Sequence, residues 1–294
     1  MPRALVVVGA LVLLAGAVLA ARGIRALPEV RAFLADYPGF SPLPDGTPVG
    51  FPAWSGWQHF LNSFLLLLIV RTGWELRKKQ RPVNFYTRHN DGLLRTRNPP
   101  VRIGVPLWFH LALDALWILN GALFYVLLFA TGQWKRLVPV SWDIIPNAIS
   151  AGLQYVSLDW PTENSWVHYN ALQLLSYFAT VFIAAPLAIV TGVRLAPGLA
   201  RVLCRFDRLF PLAAARVVHV WVMVYFIAFT IVHVTLVFAT GALRNLNHMY
   251  AGRDDESWWG AAIFAASIVV TMLGWFAARP LVLRWLAGLT GTVR

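Results

Sequence analysis

The chain has 294 residues, of which 58% are hydrophobic and only 13% charged; a soluble domain of this size needs far more polar surface. The formal net charge of +12 falls in basic blocks between apolar runs, with no basic helix or aromatic-interleaved strand, so it reads as topogenic charge and not as a nucleic-acid footprint. The one cysteine, Cys204, excludes an intramolecular disulfide, a Cys-rich iron–sulfur site and covalent cofactor attachment through C-x-x-C-H, which leaves histidine and carboxylate as metal ligands.

Six apolar stretches follow in chain order: Ala4 to Ala21, Trp54 to Gly73, Val105 to Thr131, Trp166 to Gly192, Ala213 to Gly241 and Trp258 to Ala278. A spanning helix needs roughly 20 residues, and each stretch meets that length and is bounded by charge, Pro or Gly. The prediction is an all-α membrane protein: a transmembrane helical bundle of about six spans, multi-pass in the lipid bilayer. Residues 1–53 read as an N-terminal anchor or signal segment plus an outer linker, 54–278 as the transmembrane domain, and 279–294 as a basic cytoplasmic tail. For the first stretch, Arg3, the apolar run and the small residues at Val18 to Ala21 fit a signal peptide or a retained anchor; the second span, following with no folded domain between, favours the anchor. Tryptophans gather near the ends of the runs (Trp54, Trp57, Trp108, Trp134, Trp166, Trp258, Trp259), as an interfacial aromatic belt does.

The loop charges give an orientation. Eight Lys/Arg and two acids lie between Glu75 and Gly104, five Arg and one Asp between Val193 and Arg216, and three Arg in the tail from Arg279. The other loops are neutral or acidic: three of each sign in 22–53, two basic and three acidic in 131–167, and the same in 241–257. Positive loops stay cytoplasmic, so both termini are expected inside and the second span is expected to begin outside. Asp143 to Leu158 reads as an amphipathic helix on the outer surface.

Of seven histidines, His89 and His248 fall in loops, whereas His59, His110, His168, His219 and His233 lie in or at the edge of spans. An ionisable side chain at membrane depth is costly and usually faces the bundle interior with a partner. His219 and His233 share one helix, 14 residues apart; that spacing returns to within roughly 40° of the same face and separates the rings by roughly 21 Å. One helix thus shows one histidine to the bundle near each membrane face. Alternation of the spans puts His110 at the level of His219 and His59 at the level of His233. Neutral imidazole is a strong ligand for haem iron, and a six-coordinate electron-transfer haem needs two axial ligands, so the two pairs are read as the ligands of two haems b. The plain alternative is a set of hydrogen-bonded core histidines, and a zinc site would require the ligands to converge on one ion.

With these residues the chain resembles the bacterial di-haem cytochrome b561-like family, which includes the cytochrome b subunits of nickel–iron hydrogenases, formate dehydrogenases and thiosulfate reductases. The resemblance runs over about Trp54 to Ala278 and rests on His59-Phe-Leu-Asn62 with Phe64, Leu65 and Thr72-Gly73; on Tyr169-Asn-Ala-Leu-Gln173 with Tyr177, Pro186 and Thr191-Gly192; and on Arg216-Val-Val-His219 through His233. It implies a four-helix haem-binding core with His59, His110, His219 and His233 as axial ligands. It also implies electron transfer between a quinone pool and a peripheral redox subunit, such as a molybdopterin oxidoreductase or a hydrogenase, in the bacterial inner membrane. Family members often carry Arg three residues before the first ligand and Trp after it, where this chain has Gly56 and Phe60.

Secondary candidates complete the reading. Arg102 and Arg216 are expected near His110 and His219, as partners of haem propionates or as topogenic charges alone. Asp114, one turn beyond His110, and His168, at the opening of the fourth span, are candidates for a quinone or proton site, each with interhelical or interfacial hydrogen bonding as the alternative. Other function classes stay open: a haem-free transporter, which needs intramembrane charge and broken helices at mid-membrane, or a membrane-anchor scaffold for a partner protein.

Overall fold

The computed structural model of the chain describes residues 2–78, 81–91, 95–160, 164–202 and 207–294; Cys204 lies outside them. The helices are α1 (Pro2–Ala26), α2 (Pro28–Asp36), α3 (Ala53–Arg77), α4 (Val105–Ala130), α5 (Ile144–Val156), α6 (Ala171–Phe178), α7 (Ala185–Leu195), α8 (Pro197–Val202), α9 (Leu212–Ala239), α10 (Ala242–Leu246), α11 (Trp259–Ala277) and α12 (Pro280–Gly288). Three short strands, β1 (Phe85–Arg88), β2 (Ile103–Gly104) and β3 (Gly291–Val293), form one antiparallel sheet in the order β2-β1-β3. The protein is an all-α membrane bundle, with this sheet as its one β element among the described residues.

Among the described residues five helical segments are long and apolar enough to cross a membrane: Ala4–Ala26, Val105–Ala130, Ala171–Leu195, Leu212–Ala239 and Trp259–Ala277. Their apolar side chains point outward, with Leu13 77% and Leu273 65% exposed, which water would not tolerate over such an area and lipid does. The expected sixth span, α3, has 25 residues, enough to cross, but falls short in apolarity. It carries Gln58, His59, Asn62, Arg71 and Thr72, and its buried residues include Gln58 and Thr72. Gln58 and Thr72 are thus packed against protein, whereas Asn62 is exposed and accepts from Trp117 Nε1.

Local chemistry sets the ends of these helices. Gly132, with φ 72°, closes α4 in the left-handed conformation that glycine adopts freely. The fourth span starts later than its hydropathy suggests, at Ala171 and not Trp166. Asn170 and Gln173 form a reciprocal capping box there: the Asn170 side chain accepts from the Gln173 N–H at 2.9 Å, and the Gln173 side chain accepts from the Asn170 N–H at 3.2 Å. Farther on, a π-helical segment, Ala179–Ala184, precedes Pro186. Proline has no N–H to give and clashes with the carbonyl four residues back, and the wider π turn absorbs both defects.

The chain divides into two compact units. The first comprises Met1–Gly50, Leu128–Phe182 and Ala239–Gly241. Here the end of α1 and the linker after it are joined to the segment after α4: Arg22 donates to the Ser157 carbonyl at 3.0 Å, Arg25 pairs with Asp159 at 2.5 Å, and the Gly39 N–H donates to Asn147 Oδ1 at 2.9 Å. Arg136, only 2% exposed, donates to the carbonyls of Gly50 (2.6 Å) and Ser165 (2.5 Å) and lies over the Tyr169 ring. The expected helix over Asp143 to Leu158 is present as α5, which buries Ile144, Asn147, Ser150 and Ala151 along one face.

The second unit comprises Phe51–Leu127, Ile183–Phe238 and Ala242–Arg294. Its sheet ties the basic segment after α3 to the C-terminal residues, with Tyr86 opposite Val293. Tyr86, Val105, Ala278, Leu283 and Ala287 make the core beneath it. The residues from Arg279 on are therefore a folded helix and strand, where the sequence suggests a tail. Within the bundle, Leu65, Leu68 and Leu113 join α3 to α4, and Ala184, Val222 and Phe226 join α7 to α9.

Candidate cofactor site: two histidine pairs

The second unit brings four of the predicted histidines together as two pairs. His110 on α4 faces His219 on α9, with ring centres 6.3 Å apart and planes at 82°. His59 on α3 faces His233 on α9, with ring centres 6.2 Å apart and planes at 51°. The pairing is the one that span alternation predicts. A metal–imidazole bond of about 2 Å, with the ring nitrogen about 1.2 Å from the ring centre, puts two rings that share one metal ion about 6.4 Å apart between centres. Both pairs meet that separation.

Around His110 and His219 the surroundings are matched. Thr72 Oγ1 is 2.7 Å from His110 Nδ1, and Thr191 Oγ1 is 2.8 Å from His219 Nδ1. The next residue in each case is glycine. A Cβ on Gly73 would come 3.5 Å from His110 Cε1, and one on Gly192 3.6 Å from His219 Cε1, so a longer side chain at either position would crowd the imidazole beside it. Both rings line an apolar cleft of about 230 Å³ that is partly open to its surroundings. Leu66, Ile69, Trp117, Met223 and Phe226 contribute to its walls.

Asp114 also lines the cleft, its Oδ2 3.6 Å from His110 Nε2; this exceeds hydrogen-bond reach. Arg77, an exposed residue in the last turn of α3, is among the residues that line the cleft. Arg102 lies over the Phe85 ring at 4.4 Å, beside the sheet, and Arg216 is exposed. Arg77 was legible only as one more topogenic charge, yet it stands one turn beyond Gly73 and so on the same helix face.

His59 has different neighbours. Its Nδ1 is buried without a hydrogen-bond partner. Tyr250 meets its ring edge-on at 5.6 Å, and Phe229 stacks on His233 at 5.6 Å. Tyr250 belongs to a second π turn, Asn247–Ala251. The Met249 carbonyl of that turn would be 2.7 Å from a Cβ on Gly56. Position 56 thus leaves no room for a side chain in this packing. Asn247, fully buried, anchors the turn by donating to Asp255 Oδ1 (2.8 Å) and the Ser257 carbonyl (2.7 Å) and accepting from the Gly260 N–H (2.6 Å). Hydrogen bonds from Ser257, side chain and backbone N–H, and from Arg253 hold the Asp255 carboxyl below its ordinary pKa. His248, expected as a surface residue, is 2% exposed, and its Nε2 meets Asp254 at 2.8 Å; only the bound turn reveals that.

His168 lies outside the helices, ahead of the capping box, and stacks on Phe40 at 5.1 Å in the first unit. Between the levels of the two histidine pairs, Trp117 Nε1 donates to Asn62 Oδ1 at 2.6 Å, and its ring meets Phe226 edge-on. No family model, no curated protein and no solved structure matches the chain.

Proposed function

We propose that the protein is a membrane-embedded di-haem cytochrome of the b561-like kind, carrying electrons between a quinone pool and a peripheral oxidoreductase subunit such as a hydrogenase or molybdopterin enzyme. The observation that carries this reading is the double occurrence of one geometry: His110–His219 and His59–His233, with ring centres 6.3 and 6.2 Å apart. The donor set suits haem b, since all four proposed ligands are imidazoles and C-x-x-C-H is absent from the sequence. The glycines at 73 and 192 suit a flat macrocycle, and Arg77 suits an anionic propionate. When bound, two haems would supply reversible one-electron exchange at iron, and the chain supplies ligands, an apolar surround and charge to set its potential.

The same reading assigns the other groups. Asp114, in the cleft beside the first pair, is a proton-carrying group at a quinone site, and His168 is a candidate for quinone chemistry at the other set of loops. The resemblance implies a bacterial inner membrane, and the loop charges support an orientation with both termini in the cytoplasm. A pyridine haemochrome assay with a reduced-minus-oxidised spectrum tests the core of the proposal. Two non-covalent haems b per chain with low-spin spectra are expected, and a pure, folded protein expressed with adequate haem supply that contains none would sink it.

A further inference from the structure

The two threonines beside His110 and His219 are not interchangeable polar filler. Each is buried, Thr72 at 2% exposure and Thr191 at 0%, so no water competes for its hydroxyl. Each hydroxyl also faces carbonyls of its own helix: Thr72 those of Leu68 (3.0 Å) and Ile69 (2.9 Å), Thr191 those of Leu187 (2.6 Å) and Ala188 (3.1 Å). A hydroxyl has one hydrogen and two lone pairs. With its hydrogen given to a helix carbonyl, which has no hydrogen to return, the oxygen can only accept from the imidazole. The ring nitrogen next to it, Nδ1, must then be the protonated one, and Nε2 is left with a bare lone pair.

We propose that Thr72 and Thr191 are positioning residues that fix the tautomer of the His110–His219 pair and raise the basicity of both rings toward a metal. The proposal rests on the di-haem reading above. The arrangement occurs twice in one site, on α3 and on α7, each time in a Thr-Gly step that places the hydroxyl at Nδ1 and the open glycine beside Cε1. His59 lacks the device, since its Nδ1 is buried without a hydrogen-bond partner. Hydrogen bonding at the outer nitrogen of a metal-bound imidazole orients the ring and strengthens it as a donor. A stronger donor stabilises ferric over ferrous iron, so these threonines hold down the midpoint potential of one haem and leave the other alone.

The test uses the full-length protein purified with its haem, as wild type and as Thr72→Val, Thr191→Val and the corresponding Ser variants. Haem content comes first. A wild type with no haem overturns the di-haem reading and this proposal together. With two haems present, redox titration followed by difference spectra should show one component shifted upward in Thr72→Val, the same component shifted in Thr191→Val, and the second component unmoved. Serine, which restores the hydroxyl, should return the midpoint toward wild type; a merely structural role would not distinguish Ser from Val in potential. Midpoints that stay at wild-type values in both Val variants overturn the proposal alone, as does a shift of different components in the two variants. If Val blocks accumulation, Thr→Ala is read in the same way, and a low-spin signal of the affected haem that does not differ between Ala and Ser overturns the proposal.

Discussion

A neutral imidazole gains nothing from an apolar bundle unless something there replaces water at its nitrogens. His110 and His219 have a threonine at one nitrogen each, and both residues line the cleft. Under the di-haem proposal, losing one imidazole of a pair removes half of a ligand set. His110→Ala and His219→Ala are expected to lose or convert the same haem, and His59→Ala and His233→Ala the other, read as a fall from two haems toward one in the pyridine haemochrome assay and as loss of one spectral component. If His59→Ala perturbs the component lost in His110→Ala, the pairing is wrong. If His168→Ala, and not His59→Ala, removes a haem, the ligand set is wrong. A second expectation concerns space: Gly73→Leu should lower occupancy of the His110–His219 site, because its side chain extends from a Cβ already 3.5 Å from the ring, while the other haem is retained. The pairs were legible in the sequence because depth follows from span alternation and a shared face follows from the 14-residue spacing. The threonines were legible only as letters of a motif, since the bonds they make depend on side-chain rotamers across two helices. Arg102 and Arg216 were chosen by nearness along the chain, whereas Arg77 lines the cleft because it lies along the helix face of Gly73.

At the scale of elements, the π turn Asn247–Ala251 is the least predictable part of the site, because short loops between spans carry no periodicity to read. The turn forms because one buried amide, Asn247, satisfies donors and acceptors on three sides. Asn247→Ala is expected to cost about 1–3 kcal/mol by leaving the Gly260 N–H and the Ser257 carbonyl without their partner. It should lower the thermal midpoint in detergent and disturb the haem beside Tyr250 more than the other. The acidic anchor of the turn gives a pH dependence with a definite sign. Asp255 has its folded-state pKa depressed, so its contribution is complete above the ordinary carboxylate value of about 3.9 and is lost only as pH falls through the lower folded value. The stability difference between wild type and Asp255→Asn should be flat from neutral pH down to about 5 and shrink only under strong acid. A difference that fades near neutral pH would contradict the sign. The spanning helices themselves were legible, because hydropathy and length are what a bilayer selects. The start of the fourth span was misread by five residues, because Trp166 to His168 are apolar enough to pass for a helix that the Asn170 cap forbids. The polarity of α3, which lowers it as a span by hydropathy, comes from the same residues that make it part of the site.

At the scale of the whole molecule, topology rests on which segments share a unit. The sheet joins β1, from the basic segment after α3, to β3 near the C-terminus, so those two segments lie on one side of the membrane. In the first unit, the end of α1 and the linker after it are bonded to the segment after α4 through Arg25–Asp159 and Gly39–Asn147, so those segments also share a side. The charges then choose between two orientations: basic residues dominate the first set of segments and not the second, and basic loops are retained in the cytoplasm. The expected arrangement follows in a labelling experiment on intact cells and inverted vesicles. Cys204→Ser provides the background, and single cysteines are placed at the exposed positions Val49, Val140, Asn98 and Arg294. Val49→Cys and Val140→Cys should react with an impermeant thiol reagent from outside, and Asn98→Cys and Arg294→Cys only in inverted vesicles. Labelling of Val49→Cys and Val140→Cys from opposite sides would break the topology itself. A clean inversion of all four would keep the topology and overturn the orientation. That outcome would also move the His110–His219 pair, which lies on α4 and α9 toward the sheet end of the second unit, from the cytoplasmic side to the outer one. Under the di-haem proposal, the side on which that pair lies decides which face of the membrane a peripheral redox partner must approach to exchange electrons with it.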